Sequence, residues 1–172
     1  MMELGVLKPA PANLPILVAN SPDIDYPCTV IPPQLTWCGP IVRVAPHIRE
    51  VGPDLAAWLS RRPTIYINLG THHKSNTNEA HEMAKALKIV LDEGDAQKSK
   101  ERPLRILWKL GRTADAEGNI PQRDKDWLVA GPKSVIESKS IVCFVNHGGA
   151  NSFHEGLCTG IPQVLLPAWT DC

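Results

Sequence analysis

The chain has 172 residues, 43% of them hydrophobic and 21% charged, with Lys plus Arg and Asp plus Glu both at 18. That composition fits one folded domain of ordinary size with a small appendage, and it excludes a disordered segment. A formal net charge of zero argues against a nucleic-acid surface or a polybasic membrane patch. No apolar run approaches the roughly 20 residues of a membrane span, and Met1-Met2-Glu3-Leu4 lacks the basic start and apolar core of a signal peptide.

Residues 1–50 are rich in proline and aperiodic, so little independent structure is expected there beyond one short strand at Leu14-Pro15-Ile16-Leu17-Val18-Ala19. Pro53 followed by Asp54-Leu55-Ala56-Ala57-Trp58-Leu59 predicts a short helix. Thr64-Ile65-Tyr66-Ile67-Asn68-Leu69, closed by Gly70-Thr71, predicts a strand and a turn. Asn76 with Glu79 three residues on predicts a capping box. Ala80, Met83, Ala84, Leu87, Val90 and Leu91 then recur at helical spacing up to Gly94. Leu104–Leu110 reads as the next strand, Thr113–Asp124 as a polar loop, Asp126–Val129 as a short strand and Ser134–Ser138 as a short helix. The apolar run Ile141-Val142-Cys143-Phe144-Val145 reads as a buried parallel strand, 151–158 as a helix stopped by Gly160, and Gln163–Pro167 as a last strand. Strands alternating with helices predict an α/β fold with a Rossmann-like parallel sheet and flanking helices. The Pro-rich 1–50 stretch and the 51–172 domain form the expected division. Both ends read as cut, the last strand being left without a covering helix. Trp58 and Trp108 fall in apolar patterns and are expected in the core, as are Cys143 and Cys158. Five cysteines with no C-x-x-C suit a reducing compartment, hence a cytoplasmic protein or one peripheral to a membrane.

The stretch that carries chemistry runs from Val145 to Glu155. A strand, the Gly148-Gly149 turn and a helix start, with Asn151 and Ser152 as N-cap types, aim free N–H groups and a positive dipole end at one spot. A phosphate is the natural occupant. His147 taken alone reads as a core histidine; with Gly-Gly and Asn-Ser after it, it reads as a phosphate contact. His72-His73 and His154 suggest a metal, but no Cys or acidic residue has ligand spacing, and adjacent histidines in such a loop are more often solvated, so no metal site is expected. No G-x-G-x-x-G follows any strand, which disfavours a Rossmann oxidoreductase.

His147-Gly-Gly-Ala-Asn-Ser-x-x-Glu155, Gly160-Ile-Pro162 and Pro167-x-x-x-Asp171 resemble the signature of the family-1 nucleotide-sugar glycosyltransferases, in the variant typical of fungal members. Tyr66–Thr71, Ile106–Lys109 and Trp37–Ile41 resemble two earlier strands and the interdomain segment, so the likeness covers about residues 20–172. The resemblance implies the GT-B fold and a UDP-sugar donor, with inverting transfer of a hexosyl group, glucose by preference, to an acceptor hydroxyl. It implies no metal or cofactor. This chain would supply the donor-binding half; the acceptor domain that carries the base lies outside it, so no catalytic residue is assigned and the isolated chain is expected to be inactive. The alternative is a non-catalytic nucleotide-sugar-binding subunit, or an inactive fragment, that needs a separate acceptor-domain chain.

By the resemblance, His147, with Gly148 and Gly149, contacts the diphosphate. Asn151 and Ser152 add phosphate contacts, Glu155 takes the ribose hydroxyls, Asp171 holds sugar hydroxyls, and Gly70 and Thr71 form the loop facing the phosphates. The family places Gln after that Asp, where this chain has Cys172. It also places a uracil-stacking Trp 18 residues before the histidine, followed by a Gln; those positions are Val129 and Pro132, and Trp127, two residues earlier, is the expected stacking residue.

Overall fold

The computed structural model describes residues 11, 14–25, 27, 29–71, 73–97, 103–111 and 132–167. The chain forms two compact units, Met1–Arg43 and Val44–Cys172.

In the first unit β1 (Ile16–Val18) pairs in parallel with β2 (Leu35–Trp37), Ile16 opposite Leu35. The expectation of one strand and little else is corrected here. Pro32 and Pro33 lie just before β2, but Leu35-Thr36-Trp37 itself has strand-forming residues. The ladder extends through Ile16 N–H to the Gln34 carbonyl and Cys38 N–H to the Val18 carbonyl.

In the second unit, α1 (Ile48–Val51) and α2 (Pro53–Leu59) precede β3 (Thr64–Asn68). The boundary expected at residue 50 falls inside α1, whose Ile48 is 2% exposed and belongs to the core. After β3 come α3 (Thr77–Gln97), β4 (Arg105–Lys109), α4 (Pro132–Ile136), β5 (Ile141–Asn146), α5 (Ala150–Thr159) and β6 (Gln163–Leu165). The expected capping box is present: Asn76 N–H donates to Glu79 Oε2 and Glu79 N–H to Asn76 Oδ1, both at 3.0 Å. Gly94 does not stop α3, which continues to Gln97. Gly160, by contrast, takes the left-handed conformation that ends α5. The loop expected at 113–124 and the strand expected at 126–129 lie outside the described residues.

The four strands of the main sheet are all parallel, in the order β4-β3-β5-β6. The expected α/β architecture is thus the one observed. One face of the sheet holds the core: Tyr66, Leu107 and Phe144 pack with Ile48 of α1, Leu59 of α2, and Val135 and Ile136 of α4. Tyr66 and Phe144, opposite each other in register, stack with centroids 5.3 Å apart. That geometry adds about 0.5–1.5 kcal/mol beyond the area buried. Trp58 packs against this cluster under the Arg105 guanidinium, 4.7 Å from its ring centre. Cys158 is exposed, contrary to its expected place in the core, while half-buried Cys143 has its thiol pKa raised by burial. No helix among the described residues is long and apolar enough to cross a membrane.

Candidate functional site

The chain runs outward from β3 to β4, then returns to the other side of β3 for β5 and continues to β6. The order reverses between β3 and β5, and a parallel sheet opens a crevice at the carboxyl ends of the strands flanking such a reversal. The two loops that leave those ends are 69–71 and 147–149.

Both strands end in asparagine. Asn68 and Asn146 are register partners, 2% and 0% exposed. Each folds its side chain over the turn that follows: Gly70 N–H donates to Asn68 Oδ1 at 3.2 Å, and Gly148 N–H donates to Asn146 Oδ1 at 2.9 Å. These are Asx turns. The two glycines sit at φ 85° and 86°, a region that costs a side chain about 1–2 kcal/mol. The sequence reading missed both asparagines, although the repeated Asn-x-Gly after two β-rich runs is a readable signal.

The turns meet around His147. A Cβ on Gly70 would lie 3.0 Å from its Cε1, and one on Gly149 only 2.3 Å from its Nε2. The ring therefore fills space that only glycine leaves on both sides. Its Nδ1 is the one fully buried side-chain nitrogen or oxygen among the described residues without a hydrogen-bond partner. Leaving such a group unpaired costs about 1–3 kcal/mol.

Helix α5 begins at once. Its N-cap is Gly149, not Asn151 or Ser152, which fall at the second and third helical positions; no side chain caps the helix. The correction matters chemically. A side-chain cap would have used one of the first amides, whereas a glycine cap leaves them open to an anion. The amides of Gly70 and Gly148 are used by the asparagines, so they are not available to a ligand. Ser152 is buried, Asn151 and Thr71 are exposed, and Glu155 is half-buried one turn into the helix. Burial first, and the Glu155 charge third, raise the Tyr66 phenol pKa well above its ordinary value. A hydrogen bond with the Asn68 side chain opposes them.

Behind the site Asn146 Nδ2 donates to Gln163 Oε1 at 2.9 Å, and Gln163 Nε2 donates to the Phe153 carbonyl at 3.1 Å. Gln163 was not foreseen as part of the site's support. Trp127 and Asp171, expected at the base and the sugar, lie outside the described residues. His73, expected to be solvated, is half-buried with Nε2 3.2 Å from Ser75 Oγ, and His154 is buried beside Phe153. Among the described residues no group of three His, Cys, Asp or Glu could hold a metal ion.

A parallel sheet with glycine turns and an uncapped helix start at its switch point makes this a Rossmann-like α/β domain. Residues 15–172 match the family of UDP-glucoronosyl and UDP-glucosyl transferases, and the chain belongs to that family. It is 35% identical to the glycosyltransferase sdnJ of Sordaria araneosa, over 98% of this chain and 34% of that protein. It is 30% identical to a flavonol 7-O-beta-glucosyltransferase of Arabidopsis thaliana, over 66% of this chain and 24% of the relative. The chain thus spans about a third or less of the length of these curated relatives. Its fold matches part of a UGT transferase from Siraitia grosvenorii solved in complex with UDP, with a TM-score of 0.55 at 20% identity, over 80% of this chain and 34% of that one.

Proposed function

We propose that this chain is the donor-binding part of an inverting UDP-glycosyltransferase and that the β3/β5 switch point takes the diphosphate of a UDP-sugar. The observation that carries the reading is the pairing of an uncapped helix start with the unpartnered, buried Nδ1 of His147. Sugar transfer displaces UDP from the anomeric carbon, and negative charge grows on the β-phosphate as the bond breaks. Open amides at Ala150–Ser152 and a histidine N–H meet that charge without a metal, and the helix dipole adds about 0.3–2 kcal/mol. Glu155 takes the ribose hydroxyls. Gly70 and Thr71 wall the other side of the phosphates, Asp171 holds the sugar, and Trp127 stacks on uracil. The acceptor is a small molecule whose hydroxyl is deprotonated by a base outside this chain. The hexose is glucose, in keeping with the glucosyltransferase among the relatives, and the protein acts in the cytoplasm.

Calorimetric titration of UDP tests the reading. The folded chain is expected to bind, and Glu155→Ala to weaken binding about tenfold or more, the loss of charge-assisted bonds to two hydroxyls. A folded chain that binds no UDP at millimolar concentration would overturn the proposal.

A further inference from the structure

Gln163, on β6, is one end of a directed chain of hydrogen bonds that finishes at the Gly148 turn. Its Nε2 donates to the Phe153 carbonyl, its Oε1 accepts from Asn146 Nδ2, and Asn146 Oδ1 accepts from Gly148 N–H. Phe153 lies in the first turn of α5 and Gly148 at the apex of the turn before that helix, so the relay ties the helix start to the loop that precedes it. Its direction is fixed. Turning either amide over would set donor against donor and acceptor against acceptor, and fully buried Asn146 has no water to replace a lost partner. The space is fixed too. A Cβ on Gly156 would lie 2.5 Å from Gln163 Cδ and Oε1, so the helix approaches β6 this closely only because residue 156 has no side chain. Asn146, Gly156 and Gln163 therefore interlock, with Gly148 at φ 86° as the end that faces the site.

We infer that Gln163 is a positioning residue for diphosphate binding. By fixing the orientation of the Asn146 amide it holds the 147–149 turn, and with it the His147 ring, in the arrangement that grips a second phosphate. This rests on the reading of the switch point as the diphosphate site. Without the Gln163 amide, Asn146 Nδ2 loses its acceptor, the Asn146 side chain is free to rotate, and the left-handed turn at Gly148 loses its internal bond. The α5 amides stay in place, so a single phosphate is still held.

Two variants reach the relay by different routes. Gln163→Met keeps length and volume but has no amide. Gly156→Ala leaves every relay residue intact and pushes the Gln163 amide aside. In both, UDP affinity is expected to fall about tenfold and UMP affinity less than about twofold, the scale of one lost buried hydrogen bond. Amide hydrogen exchange at Gly148 is expected to rise about tenfold in the absence of nucleotide, with Ile67 and Phe144 unchanged. A general loss of structure would instead weaken UDP and UMP alike and speed exchange throughout the core. Equal losses for the two nucleotides, or an unchanged preference for UDP over UMP, overturn this proposal alone; a folded wild-type chain that binds no UDP overturns the reading of the site as well.

Discussion

Asn68-Leu69-Gly70 and Asn146-His147-Gly148 use one device at two places, and the two turns differ in what stands behind the asparagine. At β3 the Asn68 side chain is paired with the phenol of Tyr66, two residues back on the same strand, and the turn opens onto exposed Thr71. At β5 the Asn146 side chain is paired with Gln163 on the neighbouring strand, and helix α5 follows after one more residue. The first turn is held locally and supplies a wall. The second is held from another element and supplies the histidine and the helix start. Similar backbone geometry therefore leads to unequal chemistry, and the inequality comes from long-range packing.

Removing the asparagines separates the two cases most sharply. Asn146→Ala strands the Gly148 N–H and Gln163 Oε1, both half-buried, around the space that fully buried Asn146 filled. It is expected to cost about 2–4 kcal/mol in denaturant unfolding, from two unpaired, half-buried groups at about 1–2 kcal/mol each. Asn68→Ala loses a longer bond to the turn, 3.2 Å against 2.9 Å, together with the Tyr66 phenol contact, but leaves no cross-strand amide unpaired, and is expected to cost about 1–2 kcal/mol. Equal costs would mean that the link to β6 adds nothing to the second turn.

The glycines sharpen the comparison at the histidine. Gly149 has ordinary backbone angles, φ −59° and ψ 140°, so Gly149→Ala is unstrained in the backbone and acts only by driving a Cβ into the His147 ring. Gly70→Ala adds the cost of a left-handed alanine, about 1–2 kcal/mol, and a milder approach to the same ring. The first is expected to lower UDP affinity about tenfold with a Tm change of a few degrees; the second is expected to lower stability by about 1–2 kcal/mol and affinity less. Titration and thermal unfolding of both variants check the split, and the reverse pattern would show that the ring is free to move away from Gly149.

Much of this was legible in the chain. The β3, β4, β5 and α5 segments announced themselves by apolar runs and by glycine and capping residues, and the Asn76/Glu79 box formed as spaced. The His-Gly-Gly-x-Asn-Ser order pointed to the strand, turn and helix start found between β5 and α5. The support was not legible. Asn146 and Gln163 are 17 residues apart, and only the parallel register of β5 with β6 brings them together. The N-cap was misread for a related reason: Asn151 and Ser152 are good cap types, but His147 already occupies the space beside Gly149, so the helix begins on the glycine. Gly156 gave no signal at all, since its need for no side chain exists only once Gln163 lies across it.

The smallest expected effect tests the local hold on the first turn. Tyr66 is 4% exposed, stacked on Phe144 and paired with Asn68, and burial raises its pKa above the ordinary tyrosine value. The folded state then keeps this proton more firmly than the unfolded chain does. Stability from this source is whole below the unfolded pKa of about 10 and is lost as pH rises above it toward the folded value. Tyr66→Phe keeps the stack and the volume and deletes the hydroxyl, so at neutral pH it is expected to cost only about 1 kcal/mol, one modest hydrogen bond. Above about pH 10 the gap closes, and near pH 11 the order reverses: the wild-type chain loses stability with each step in pH, and the variant loses less. Denaturant unfolding of both chains from pH 7 to 11 reads this directly. Parallel curves would mean that the phenol ionises elsewhere than in a buried pair with Asn68. The β3 turn would then rest on its glycine alone, and the contrast with the cross-strand hold at β5 would be sharper still.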